Sequence, residues 1–170
     1  MMNSIVWPKN YQPGKTDNFV SNEVIVAGLT SQDVWLYLQN AYLWPSYYKN
    51  ASDVVLSHGK KYLVLGEKFS FKTFGFPIDA EIMELNQPQE KTAARIAWHG
   101  WTGEEDTRLD VYHAWLIEDL PDHWVRILTQ ETQIGLPAQA LAKVRPNPML
   151  NGHQAWLDGL VEIALSNKTN

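Results

Sequence analysis

The stretch Thr129-Gln-Glu-Thr-Gln-Ile-Gly135, which runs straight into Leu136 to Ser166, decides how this chain folds. Read back to Trp124, it alternates. One set is Val125, Ile127, Thr129, Glu131 and Gln133; the other is Arg126, Leu128, Gln130 and Thr132. Successive side chains of a strand point to opposite faces, and the first set has the clearer apolar start, so it is predicted to face inward. That places the Glu131 carboxylate on the buried, concave face. Immediately downstream the pattern becomes helical. Pro137 to Val144 reads as a first helical piece, with Pro137 at a tolerated first-turn position. Pro146 and Pro148 break it, and Asn147 then caps a second piece. On that piece Met149, His153, Trp156, Leu160 and Ile163 share one face, with Asp158 and Glu162 lying away from it. A last strand followed by a long closing helix implies a sheet wrapped around that helix. Such a layout leaves room for a cavity, and a cavity suits a small apolar ligand.

Upstream, Phe19 to Ala27 is rich in Val and Ile and reads as a strand. Thr30-Ser-Gln-Asp33 is a helix start in which Thr30 caps and Asp33 reaches back. Val34, Trp35, Leu38 and Tyr42 follow at helical spacing. Pro45 ends or kinks this helix, and Trp44 to Tyr48 forms a second short one. From Asp53 onward the segments Val54 to Ser57, Glu67 to Phe76, Ile78 to Leu85, Thr92 to Trp101, Leu109 to Ile117 and Trp124 to Ile134 read as strands. Their short connections, marked by Gly and Pro, predict antiparallel neighbours. The predicted inward sets are Ala80 and Ile82; Ala94, Ile96 and Trp98; and Val111, His113, Trp115 and Ile117. Phe69, Phe71 and Thr73 form the apolar set of their strand, whereas Glu81, Arg95 and His99 are expected on the solvent side. Residues 1–18 read as an irregular arm, with Ile5 to Trp7 packed on the body, and residues 19–170 as a single domain.

Composition narrows the function classes. A chain of 170 residues supports one sizeable core, and its eight Trp and seven Tyr supply large apolar bodies with polar tips. The net charge of −5 argues against a nucleic-acid or anionic-membrane surface. With no cysteine there is no disulfide, thiol nucleophile or thiolate metal site, which fits the cytoplasm. No apolar run reads as a signal peptide or a membrane span. His58, His99, His113, His123 and His153 show no paired ligand spacing, so no metal site is expected. Catalytic and cofactor motifs are missing too: there is no G-x-S-x-G, phosphate loop or dinucleotide fingerprint, and no cofactor is expected. Glu104-Glu-Asp106 reads as a solvated acidic loop. Nothing selects an oligomeric state.

The order of these pieces resembles the START-like, or SRPBCC, helix-grip superfamily. The residues behind the resemblance are Glu23 to Trp35, Trp44-Pro-Ser-Tyr47, Gly66-Glu-Lys-Phe69, Ile78 to Glu84, Arg95-Ile-Ala-Trp98, His113-Ala-Trp115, Thr129 to Gly135 and Trp156-Leu157. Together they span Phe19 to Leu165, and their order is more specific than any single piece. The look-alikes are polyketide cyclase/dehydrase-like and lipid-transport-like members. The resemblance implies an α+β fold: a curved antiparallel sheet of about seven strands around a Pro-interrupted C-terminal helix, with two short helices between strands 1 and 2. It also implies a pocket for an apolar ligand between sheet and helix. Three functions remain open: a binding module for a small hydrophobic, aromatic or lipid-like ligand; a polyketide cyclase or aromatase using the same pocket; and an interaction domain of the Hsp90-activator kind.

Glu131 is the sharpest candidate for chemistry. A carboxylate on an inward face must pair, meet water or shift its pKa. It either anchors a ligand hydroxyl or acts as an acid or base, or it bonds a helix group or an inward Tyr. His113 and His153 meet it if all three face inward; an imidazole beside a carboxylate is a proton-transfer pair, and its structural counterpart is a hydrogen-bonded core histidine. The candidate catalytic residues are therefore Glu131 and His113. The candidate ligand-binding set is Trp35, Trp44, Phe71, Trp98, His113, Trp115, Thr129, Glu131, Met149, His153 and Trp156. Most of the tryptophans are expected in the core, with two or three lining the cavity.

Overall fold

The computed structural model describes residues 2–168, apart from the side chain of His58. Seven strands form one antiparallel sheet: β1 (Asn18–Ala27), β2 (Ala51–Leu56), β3 (Lys68–Thr73), β4 (Phe76–Asn86), β5 (Ala94–Thr102), β6 (Leu109–Leu120) and β7 (Trp124–Ile134). Their spatial order is β1-β7-β6-β5-β4-β3-β2. Strands β2 to β7 thus make a meander, and β1 pairs with the last of them. Between β1 and β2 lie the helices α1 (Ser31–Gln39) and α2 (Trp44–Tyr47); after β7 come α3 (Leu136–Lys143) and α4 (Pro148–Lys168). This is the helix-grip architecture: a curved sheet holding a long C-terminal helix. Among the described residues, no helix is long and apolar enough to cross a membrane.

Local chemistry explains the element boundaries. Thr30 and Asp33 close a reciprocal capping box on α1, which satisfies two of the free N–H groups at its start. Helix α1 stops at Gln39, short of Tyr42, which lies outside the helix and is exposed. Pro45 sits in the first turn of α2, where its missing N–H costs no hydrogen bond. The C-terminal segment is broken as the prolines require. Val144 leaves the helical region, and the Asn147 Oδ1 accepts from the Met149 N–H at 3.1 Å to cap α4.

Alternation places the concave face correctly. Ala80, Ile82, Ala94, Ile96, Trp98, Val111, His113, Trp115, Ile117, Val125, Ile127, Thr129, Glu131 and Gln133 are all buried, facing α4, which contributes Met149, His153, Trp156, Leu157 and Leu160. Ile163, expected on the same helical face, is only half-buried.

The opposite face differs from a simple solvated one. Tyr112, Ala114, Leu116, Leu128 and Thr132 are buried as well, beneath the N-terminal arm. Ile5, Trp7 and Tyr11 pack there, with Trp7 and Tyr11 each in ring contact with Tyr112 at 5.8 and 5.6 Å. Polar ties hold the arm in place: the Asn3 N–H donates to Glu118 at 3.0 Å, Arg126 donates to the Asn3 carbonyl at 2.8 Å, and Thr132 donates to the Tyr11 carbonyl at 2.9 Å. Arg95 is accordingly not solvated; its side chain is 14 % exposed and lies 3.9 Å from Glu84. Glu81, expected in solvent, is half-buried.

Candidate functional site

Strand register assembles the site. His113 on β6 lies directly opposite Glu131 on β7 and directly opposite Trp98 on β5. One step along, Trp115 lies opposite Thr129 and Ile96. Directly opposed side chains on one face are close neighbours, and long side chains also reach the diagonal position. His113 does both. Its Nδ1 lies 3.1 Å from Glu131 Oε2, and its Nε2 lies 2.8 Å from the diagonal Thr129 Oγ1. With Nδ1 donating to the carboxylate, Nε2 of a neutral ring accepts from the Thr129 hydroxyl. Helix α4 adds His153, whose Nε2 is 3.5 Å from the same Glu131 oxygen. The two imidazoles stack with centroids 4.4 Å apart.

The centre is enclosed by rings. Glu131 is 4 % exposed, and His113 and His153 are 2 % exposed. Trp98 packs on His113 at 4.7 Å, Trp156 meets it edge-on at 5.4 Å, and Trp115 stacks at 5.6 Å. Trp44 and Phe71 extend this wall through Trp98. Met149 is buried in the first turn of α4. Trp35 is also buried, but it donates its indole N–H to Gln39 of its own helix at 2.9 Å. Among the described residues it has no ring contact with the others.

Several polar residues of the centre were not singled out as site residues from the sequence. The Gln133 amide donates to Glu131 Oε1 at 2.5 Å, Asn18 donates to Gln133 at 2.8 Å, and Asn147 donates to Asn18 at 2.8 Å. This chain of side-chain amides runs from the buried carboxylate to the α3–α4 break. There Asn18, Phe19, Arg145, Pro146, Asn147 and Leu150 line a surface hollow of about 590 Å³. A signal for part of it was legible: Asn18 and Asn22 flank Val20 on the inward face of β1, where an apolar residue is the default.

Electrostatics follow from burial and neighbours. Burial pushes the Glu131 carboxyl upward, but the imidazoles of His153 and His113 and the Gln133 amide outweigh it, so it titrates below its ordinary value. Burial is the main reason the His153 imidazole is pushed down to about 3, with His113 adding to the effect and Glu131 opposing it. Three buried polar atoms here have no hydrogen-bond partner: His153 Nδ1, Trp115 Nε1 and Trp156 Nε1. The sequence offered no metal site because no pair of histidines has ligand spacing. The fold nevertheless brings ligand atoms of His113, Glu131 and His153 within 4.8 Å of one another.

Comparison with known proteins follows the fold. No protein-family model and no curated protein matches the chain. The hypothetical protein jhp0584 from Helicobacter pylori is 51 % identical, with 96 % of this chain and 98 % of that chain covered and a TM-score of 0.92. A Thalictrum norcoclaurine synthase point mutant in complex with a transition-state analogue is 13 % identical, with coverage of 89 % and 96 % and a TM-score of 0.61. The di-domain ARO/CYC protein BexL is 11 % identical; 84 % of this chain matches 45 % of that one, with a TM-score of 0.58. At such low identity the last two show likeness of fold alone.

Proposed function

Because the chain belongs to one family with the Helicobacter pylori protein jhp0584, of START-like (SRPBCC) helix-grip fold, we propose that it is a ligand-binding domain. It takes a small, largely apolar ligand between the sheet and α4, and the ligand's polar group sits at the His113–Glu131–His153 centre. The observation that carries this reading is the set of three unpartnered atoms, His153 Nδ1, Trp115 Nε1 and Trp156 Nε1, inside a ring-walled interior. Each costs about 1–3 kcal/mol when left unsatisfied, and a ligand oxygen removes that cost. The aromatic walls supply apolar area, and Glu131, held by His113 and Gln133, supplies orientation. The way in is the hollow at the α3–α4 break, where the Asn18–Asn147 bond acts as a latch.

The test is native mass spectrometry of the purified protein. An organic adduct, lost when Trp156→Ala removes one wall, is expected. A bare protein mass, together with no binding of aromatic or acyl-chain probes, would overturn the reading and favour an interaction domain. A second reading is an enzyme of the cyclase kind, favoured by the hydroxyl–imidazole–carboxylate alignment of Thr129, His113 and Glu131. It requires multiple turnover of a polyketide-like substrate that disappears in both Glu131→Gln and His113→Ala.

A further inference from the structure

We infer that His113, Glu131 and His153 bind one divalent transition-metal ion of zinc's class. The inference concerns the same centre but does not depend on the apolar-ligand reading. Zinc holds imidazole nitrogen and carboxylate oxygen at about 2.0–2.2 Å, which at tetrahedral angles sets ligand atoms roughly 3.4 Å apart. Glu131 Oε2 lies 3.1 Å from His113 Nδ1 and 3.5 Å from His153 Nε2, and the three residues' ligand atoms fall within 4.8 Å of one another. To close on an ion, the two imidazoles, now stacked with centroids 4.4 Å apart, must swing so that both ring planes point at it. The donors come from β6, β7 and α4, elements fixed by the sheet register and by helix packing.

The surroundings suit a metal as well as the donors do. Ligating histidines and carboxylates are usually oriented by a second hydrogen bond at the atom that does not bind the ion. His113 has one, through Nε2 to Thr129 at 2.8 Å; Glu131 has one, through Oε1 from Gln133 at 2.5 Å, which Asn18 holds in turn at 2.8 Å. His153 commits neither nitrogen to a short hydrogen bond: Nε2 is 3.5 Å from Glu131, and Nδ1 has no partner. Such a residue is poorly used by a purely hydrogen-bonded core. Two imidazoles and one carboxylate favour zinc or iron over magnesium or calcium, which prefer all-oxygen sites. Three protein ligands leave a coordination position open, as in catalytic rather than closed structural zinc sites.

Ligation also reverses a proton position. An ion on His113 Nδ1 displaces the proton that Nδ1 donates to Glu131, so Nε2 must carry the proton and donate to Thr129. The experiment strips the whole protein with chelator and titrates it with Co²⁺ as a visible-absorption probe, then with Zn²⁺. One equivalent of Co²⁺ with ligand-field bands of a low-coordinate site is expected, displaced by Zn²⁺, with a raised thermal midpoint. Glu131→Gln and His153→Gln should weaken binding by more than about 100-fold, and Thr129→Val by about 10- to 100-fold at unchanged stoichiometry. Nitrogen NMR of the unaltered protein serves if a variant fails to fold: Zn²⁺ should shift the ring nitrogens of both His113 and His153 and switch the His113 tautomer. Failure to retain either ion, a Co²⁺ site indifferent to His153→Gln, or shifts confined to other histidines would overturn the inference. A metal-loaded protein with no organic adduct would leave this inference standing and remove the apolar-ligand reading; the reverse result would do the opposite.

Discussion

At the scale of residues, the centre depends on few atoms. Glu131 receives a donor on each oxygen, and His113 is held at both nitrogens. Thr129→Val keeps the shape and removes the hydroxyl, leaving His113 Nε2 buried without a donor. A loss of about 1–3 kcal/mol is expected in urea unfolding, with a change in the His113 ring-nitrogen resonances. The inward placement of Glu131, His113 and His153 was legible because alternation and helical spacing are local properties. The amide chain through Gln133, Asn18 and Asn147 was not, since nothing in the sequence says which inward polar residues face each other. A second residue-scale prediction concerns acid. Asp33 is partly buried, which raises its carboxyl, but bonds from Lys168 and Thr30 outweigh this and hold it below its ordinary 3.8. The folded state thus prefers the carboxylate. Its contribution is present above the ordinary value and is lost as pH falls through the lower folded value. Thermal midpoints followed down to about pH 3 should fall less steeply for Asp33→Asn than for the unaltered protein.

At the scale of elements, the break between α3 and α4 sets the end of the helix against the sheet. Two helices and a strand meet where Asn147 caps α4 and ties it to Asn18 of β1. Asn147→Ala should cost about 1 kcal/mol through the lost cap alone. Helix α4 also lies against α2, and Gly159 makes that closeness possible: a Cβ there would collide with the backbone carbonyl of Tyr47. Gly159→Ala brings two opposing effects. Helix propensity gains up to about 1 kcal/mol, whereas the collision involves backbone that cannot swing aside and costs about 1–3 kcal/mol. The collision should win, and chemical denaturation of the variant should show a lower midpoint. A gain in stability would mean that α2 yields easily.

At the scale of the whole molecule, the sheet has two covered faces. One grips α4; the other lies under the arm of Ile5, Trp7 and Tyr11. A protein lacking residues 2–11 would uncover Tyr112, Leu116 and Leu128, and apolar area is worth about 25 cal/mol per Å². Lower stability and stronger binding of an apolar dye are expected; an unchanged midpoint would show the arm to be energetically idle. This double covering explains why Arg95 and Thr132, outward by alternation, are not solvated. The sequence by itself determined the order of elements, the concave face of strands β4 to β7, the capping of α1 and the interruption of the last helix, because these follow from interactions over a few residues. Only the tertiary structure decided that Glu131, His113 and His153 share one contact, that an amide chain leads from them to the α3–α4 hollow, and that the arm closes the back of the sheet. Those depend on strand register and on contacts between distant segments, and alternation specifies which face a side chain takes but not its partner across the gap.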